Sequence, residues 1–243
     1  ISFNGADGWA WGSCLMSCFI ARLSGEADWI SKAVAGEHRF TDQVFVDALS
    51  MITRMLDDGV LSENTVSTGY STNITNFNNE TSLFMIQGQW VSAGIIPSVA
   101  EKTRIIAWPE LPGEQSNMQE SVAGVTMAGY GMTKTGASNS DVRDIAWEFI
   151  LYINSVQEVT QRLMNGEITA PIIKNFQIPD DLPIIAREKI TFAGQHSLIT
   201  DVIDMYLTGD PNYTLNEGMK SIALGTKTPA EVAFEVENLT RHY

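Results

Sequence analysis

Residues 41–59, TDQVFVDALSMITRMLDDG, carry the clearest pattern of the chain, with Phe45, Ala48, Leu49, Ile52, Met55 and Leu56 recurring at three- and four-residue spacing. That spacing lays them along one stripe of a helix. Thr41 is the expected cap, Asp42 suits the positive end of the helix dipole, and Gly59 is the expected stop. A second amphipathic run covers 141–154, with Val142, Ile145, Ala146, Phe149, Ile150 and Ile153 on one side and Ser140 as the expected cap. A third helix follows near Gln157–Asn165, ended by Gly166, and Pro171 bars its continuation. Cys14–Leu23 has the composition of a short apolar helix. Further helices are expected near 182–193, 195–207, 212–224 and 229–241, each bounded by proline, glycine or Asp-Pro.

Strand patterns are fewer. Thr81–Gln87 reads as a buried strand stopped by Gly88, and Arg104–Trp108 (RIIAW) as another, followed by the turn-rich PELPGEQSN. The stretch AGVTMAGYGMTKTG (123–136) alternates small and apolar residues with four glycines, as in strands that something approaches closely. Residues 1–13 and 64–79 are polar or glycine-rich and read as loops, the latter with one helical turn at most. Helices dominate over a few short strands.

The length of 243 residues allows one large domain or two small ones. The 29 acidic against 15 basic residues give a formal charge of −14. Such a surface repels phosphate backbones and anionic lipid heads, so no nucleic acid or membrane-surface partner is expected, whereas a neutral ligand fits. The start, Ile1-Ser2-Phe3-Asn4, has no basic signal region, and the apolar run CLMSCFIA is too short to span a bilayer. A chain that starts in mid-pattern is expected to be a mature or truncated product. Cys14 and Cys18 are read as small buried apolar residues, with a disulfide or a metal pair as the alternatives. Four N-x-S/T triplets, at Asn73, Asn79, Asn212 and Asn238, permit glycosylation but arise easily in Asn- and Thr-rich chains.

The three histidines, His38, His196 and His242, lack metal-ligand spacing, and no phosphate-binding, dinucleotide or nucleophile-elbow motif occurs. No metal or cofactor is therefore expected. Gly129-Tyr130-Gly131 lacks the third glycine of a dinucleotide loop. The pairs Asp57/Asp58 and Asp180/Asp181 sit at element ends, and Asp201/Asp204 are read as a surface helix face. Asp7 differs, because NGADGWAW sets it beside two tryptophans. An aromatic face packs on sugar C–H groups while a carboxylate accepts hydroxyl hydrogen bonds. Capping of a following turn is the competing reading of Asp7. Of the six tryptophans, Trp9, Trp11 and Trp90 sit beside glycines in expected loops and are candidates for ligand stacking. Trp29, Trp108 and Trp147 are read as packing residues.

Several segments follow one another in a recognisable order. They are VFVDALSMITRMLDDGVL, then NFNNETSLFMIQGQWVSAGI, then IIAWPELPGE, then AGVTMAGYGMTKTGASNSDVRDIAWEFILYINSVQEVTQRLMNGEITAPI, and finally IALGTKTPAEV. Phe77 to Trp90 carries a phenylalanine, polar residues and an apolar-apolar-x-G-x-W ending. Asn154 to Pro171 and Gly225 to Glu231 carry the later motifs. In this order they resemble extracellular solute-binding proteins of family 1, the sugar-capturing receptors of ABC importers that include the maltose-binding group. The resemblance implies a helix-rich periplasmic-binding-protein type II fold, represented by its second lobe and one segment that crosses to the first. On that analogy residues 1–123 begin the second-lobe α/β domain, 124–179 cross to the first lobe, and 180–243 return as the helical C-terminal part. The first lobe's opening strands would lie outside this sequence, leaving apolar faces of the 141–153 helix uncovered.

By position, the resemblance makes Trp90 the sugar-stacking aromatic. It places Trp9 or Trp11, with Asp7, where the second lobe adds an aromatic and a polar ligand, and Gly124 and Tyr130 at the crossing. It implies a non-enzymatic protein with no cofactor, a sugar or oligosaccharide ligand, an ABC permease partner and a monomer at full length. It implies an extracellular location, as an anchored lipoprotein or in the periplasm. A carbohydrate-active hydrolase with Asp7 as catalytic acid, and the same fold binding a polyamine, peptide or metal, stay open as alternatives.

Overall fold

The computed structural model describes residues 1–124, 129–168 and 173–240. The strongest stripe of the sequence becomes α3, Gln43–Asp57, with Phe45, Ala48, Leu49, Ile52 and Met55 buried. Its cap position is Asp42 rather than Thr41, and Gly59 takes the positive φ that releases the chain from the helix. Ahead of it, residues 11–24 are helical throughout. A π-helical stretch, Trp11–Met16, runs into α1, Ser17–Ser24, so the loop expected over 1–13 ends earlier than its composition suggests. The short α2, Trp29–Val34, follows.

The chain divides into two compact units. Unit 1 comprises Ile1–Gly88, Ile106–Val125 and Gln195–Tyr243, and unit 2 comprises Gln89–Ile105 and Thr126–Gly194. In unit 1, α3 packs against α1 and against α11 (Asp210–Ala223) and α12 (Pro229–Thr240) near the C-terminal end. Trp29 anchors the aromatic part of this core, stacked on Phe45 with centroids 5.4 Å apart and meeting Phe40 edge-on at 5.9 Å. Gly218 permits the close approach of α11 and α12, since a Cβ there would stand 2.5 Å from Val232 Cγ1.

The second piece of unit 1 is fastened to the first by one buried cation. Arg22 of α1 donates from Nη1 to the carbonyls of Trp108 (3.3 Å) and Pro109 (3.0 Å) and from Nη2 to that of Gln119 (2.8 Å). Its ion-pair partner Glu114 stands at 3.1 Å, and the two side chains are 1% and 2% exposed. The same Glu114 oxygen accepts the Leu111 N–H, so one pair orders the whole turn-rich segment. Trp108 packs edge-on against Phe19. The RIIAW strand does not form: among the described residues no strand pairs with Arg104–Trp108, and the Trp108 carbonyl accepts from Arg22 instead.

Sheet is sparse among the described residues. β1, Val122–Ala123, pairs in parallel with β2, Ile199–Thr200, and Ser2 makes a single bridge with Met85. The buried strand expected over Thr81–Gln87 is reduced to that bridge, with Leu83 and Phe84 exposed. Residues 64–79, read as loop, instead form a 3-10 turn, Glu63–Ser67, and α4, Tyr70–Asn78. Their polar composition hid a helix whose stability comes from capping by another segment. The helix expected over 195–207 is split into β2 and the short α10, Ile203–Tyr206.

Unit 2 contains α5 (Pro97–Ala100), α6 (Lys134–Ser138), α7 (Ser140–Ile153) and α8 (Val156–Met164), with α9 (Ile184–Gln195) ending at its boundary. Asn139, not Ser140, caps α7, accepting the N–H groups of Asp141 and Val142. A small core forms from Val159, Leu163, Ile168, Leu182 and Ala186. On α7, no residue is fully buried, and Val142, Ile145, Trp147 and Phe149 are exposed. Trp147 is thus not a packing residue, since no described element covers its side of the helix. The expected stop at Pro171, the 125–128 part of the expected 123–136 strands, and His242 lie outside the described residues.

Cys14 and Cys18 are free thiols. Burial, more than any neighbouring charge, pushes both from an ordinary 9.0 to about 12. Their protonated burial therefore stabilises the fold fully below pH 9, and that contribution is lost as the pH rises towards 12. At pH 8 iodoacetamide is expected to leave both thiols of the native protein unmodified and to alkylate both in urea; rapid native labelling would contradict this. Arg22→Met is expected to lower the unfolding free energy by about 3–5 kcal/mol in urea titrations, because Glu114 is left charged and unpaired. The double variant Arg22→Met/Glu114→Gln should recover part of that loss.

Candidate functional site

Asp7 sits in a turn made by its own backbone, its N–H donating to Asn4 O (3.1 Å) and its carbonyl accepting from Ala10 (3.0 Å). Its Oδ2 accepts the Tyr70 N–H at 2.6 Å and the Asn4 amide at 3.2 Å. Tyr70 is the first residue of α4, and the cap position, Gly69, has no side chain to offer. Asp7 supplies the missing cap from a distant segment and places its charge at the positive end of the helix. The capping reading of Asp7 is the one its bonds display, since its carboxylate takes the Tyr70 backbone N–H and the Asn4 amide.

That cap brings Tyr70 against Trp9, with centroids 6.4 Å apart and planes at 51°. Each ring is half-buried. Burial raises the Tyr70 hydroxyl above its ordinary 10.0. Tyr70 was not legible as a site residue, because its segment reads as a polar loop and nothing near it in the sequence points to Trp9.

Trp11 corrects the sequence reading. Its side chain is fully covered, its indole N–H donates to Gly5 O at 2.8 Å, and Phe3 meets it edge-on at 5.0 Å. A Cβ at Gly5 would stand 2.7 Å from Trp11 Cζ2, so Gly5 makes room for the indole. Trp11 is a core residue with no face left for a ligand. Gly124 likewise answers to the strand pair: it donates to Thr200 O at 3.2 Å, and a Cβ there would meet Ile199 Cγ2 at 2.6 Å.

In unit 2, Trp90 lies on a 3-10 turn, Gln89–Gly94. The residues after it, Val91 and Ser92, are buried, whereas Trp90 is 43% exposed. The Ser92 hydroxyl lies 2.7 Å from Gln89 O and 2.9 Å from Gly166 O, tying the turn to the end of α8. Tyr130 is 67% exposed and meets Phe149 edge-on at 5.4 Å. Unit 1 therefore gathers Asp7 and Trp9 with Tyr70, and unit 2 carries Trp90 and Tyr130.

Among the described residues no group of three His, Cys, Asp or Glu side chains is placed to hold a metal ion, and no helix is long and apolar enough to cross a membrane. His38 stacks on Trp29 and contacts Glu26, and the His196 ring contacts Glu120. Asp201 and Asp204 are not a solvated face. Asp201 accepts the Ser31 N–H at 2.8 Å, and Asp204 accepts from Ser13 and from Asn212 at 3.1 Å. The sequon residue Asn73 is fully buried and donates to Asn4, which closes it to glycosylation in the folded state.

No protein-family model matches the chain, and no curated protein does. Solved structures do resemble it. One described as a chitin oligosaccharide binding protein superposes over 100% of this chain and 59% of its own, with a TM-score of 0.85 at 21% identity. Another, from work on xylan utilization by the thermophilic bacterium Caldanaerobius polysaccharolyticus, has a TM-score of 0.79 at 16% identity over 98% of this chain and 60% of its own. These likenesses establish the fold: a helix-rich α/β architecture shared with a sugar-binding protein. The chain spans about three fifths of the length of each.

Asp7→Ala is expected to destabilise unit 1 by about 1–2 kcal/mol through loss of the α4 cap, measured by urea unfolding. Asp7→Asn, which keeps an acceptor, should lose less. Equal losses would show that charge alone matters there.

Proposed function

We propose that the protein binds an oligosaccharide without transforming it and delivers it to a membrane permease of the ABC importer type. The observation that carries this reading is Trp90, an indole exposed on a turn whose following residues are buried. A large aromatic face on an ordered turn suits the apolar C–H face of a sugar ring, and it costs little conformational entropy on binding. Trp9 and Tyr70, beside the Asp7 carboxylate, supply a second aromatic and polar set. The fold likeness to a chitin oligosaccharide binding protein supports the ligand class.

On this reading residues 1–123 and 180–243 belong to the second lobe, and residues 124–179 cross to the first. Ligand capture is by closure of two lobes, with side chains replacing water around the sugar hydroxyls. The location on this reading is extracellular or periplasmic, with a lipid anchor as one form of attachment, and the ordered segments from VFVDALSMITRMLDDGVL to IALGTKTPAEV support a place among the family 1 solute-binding proteins. A hydrolytic role for Asp7 gains no support from its surroundings, since its Oδ2 already accepts two N–H groups.

Calorimetric titration with chito-, xylo- and malto-oligosaccharides, with chromatography of the sugars afterwards, tests the proposal. Reversible binding of at least one series, with the sugar recovered intact, is expected. Trp90→Ala should weaken that binding about tenfold or more. Turnover that Asp7→Asn abolishes would overturn the transport reading, and unchanged affinity in Trp90→Ala would remove Trp90 from the site.

A further inference from the structure

Unit 2 buries a lysine directly beneath the turn that bears Trp90. Lys189, on α9, is 2% exposed. Its ammonium donates to Gln89 O at 3.1 Å, to Ser92 Oγ at 3.0 Å and to Gly166 O. An ammonium has three donors and all three are used, on three acceptors from two separate segments. Gln89 directly precedes Trp90, and Ser92 follows it by two residues, so the lysine holds a backbone carbonyl on one side of the indole and a side-chain hydroxyl on the other. The third acceptor, Gly166, ends α8 at a φ of +71° and donates its own N–H to Leu163 O, leaving its carbonyl for the lysine and Ser92.

Taking an ammonium out of water is costly, and burial lowers Lys189 from 10.5 to about 8. The charge of Glu167 opposes that shift, but Glu167 is itself paired with Arg162 at 3.4 Å. A methionine would fill the same space without desolvating a charge. What lysine adds is direction, namely three bonds that fix where the turn sits on α8 and α9.

We propose that Lys189 is the positioning residue for Trp90, holding the Gln89–Gly94 turn so that the indole face is set for the sugar before the sugar arrives. The proposal rests on the reading of Trp90 as the stacking residue. Lys189 touches no ligand in this scheme. It lowers the ordering cost of binding by holding the turn at Gln89 O and Ser92 Oγ, on either side of the contact.

A double-mutant cycle on oligosaccharide affinity tests it, with the Trp90 resonance followed by fluorine NMR in protein carrying 5-fluorotryptophan. Lys189→Met is expected to weaken binding about tenfold and to broaden or shift the Trp90 signal, leaving those of Trp11 and Trp29 in place. In the Trp90→Ala background the same substitution should cost almost nothing further. A tenfold loss that persists in that background, or an unchanged affinity and Trp90 signal, would overturn the proposal. If Trp90→Ala itself leaves affinity unchanged, the reading of the site fails first and this inference with it. Should Lys189→Met not fold, Ser92→Ala removes one acceptor of the clamp. Coupling to Trp90→Ala in the same cycle then supports the proposal, and its absence overturns it.

Discussion

Backbone carbonyls that no strand or helix can satisfy set the main constraint on this chain. Each of its two units is assembled from segments distant in sequence, and little sheet is available to stitch them together. In unit 1 the Arg22 guanidinium does that work, with three carbonyls and Glu114 around one buried side chain. Were those carbonyls left dry and unpaired, the 106–125 segment would not stay on α1, and β1 would lose its approach to β2. Unit 2 uses the same device with a lysine. A buried cation suits this task because it carries several donors to one point and needs no partner strand.

Much of the helical framework was written in hydrophobic spacing. α3, α7, α8, α11 and α12 fall within a few residues of where periodicity and breakers place them. The failures share a cause. α4 is polar, and its cap is Asp7, sixty-three residues away in sequence, so no local window shows it. Thr81–Gln87 and Arg104–Trp108 have strand composition, but composition does not supply a neighbouring strand. Gly124, placed by the resemblance at the crossing, proved to be where the Ile199 side chain comes close.

The same distinction governs the site. Sequence alone could not separate Trp9, Trp11 and Trp90, because all three lie beside glycines. Burial separates them: Trp11 spends its whole surface and its N–H inside the core, Trp9 is half-covered, and Trp90 stands on an ordered turn in solvent contact. Tyr70 joins Trp9 only because Asp7 caps α4. The polar residue that looked most like a ligand or a catalyst thus acts first on the fold, bringing a second aromatic ring into place.

On the proposed reading, sugar binding needs flat faces fixed before the ligand arrives, since each ring that must be ordered on binding subtracts from affinity. Under the proposed function Trp90, 43% exposed on a turn held at Gln89 and Ser92, meets that need. A crystal structure of the protein with a bound chito- or xylo-oligosaccharide tests this most directly. The account predicts the Trp90 indole lying parallel to a sugar ring in van der Waals contact, at about 3.5–4.0 Å between carbons. A sugar seated elsewhere, with Trp90 still facing solvent, would contradict it.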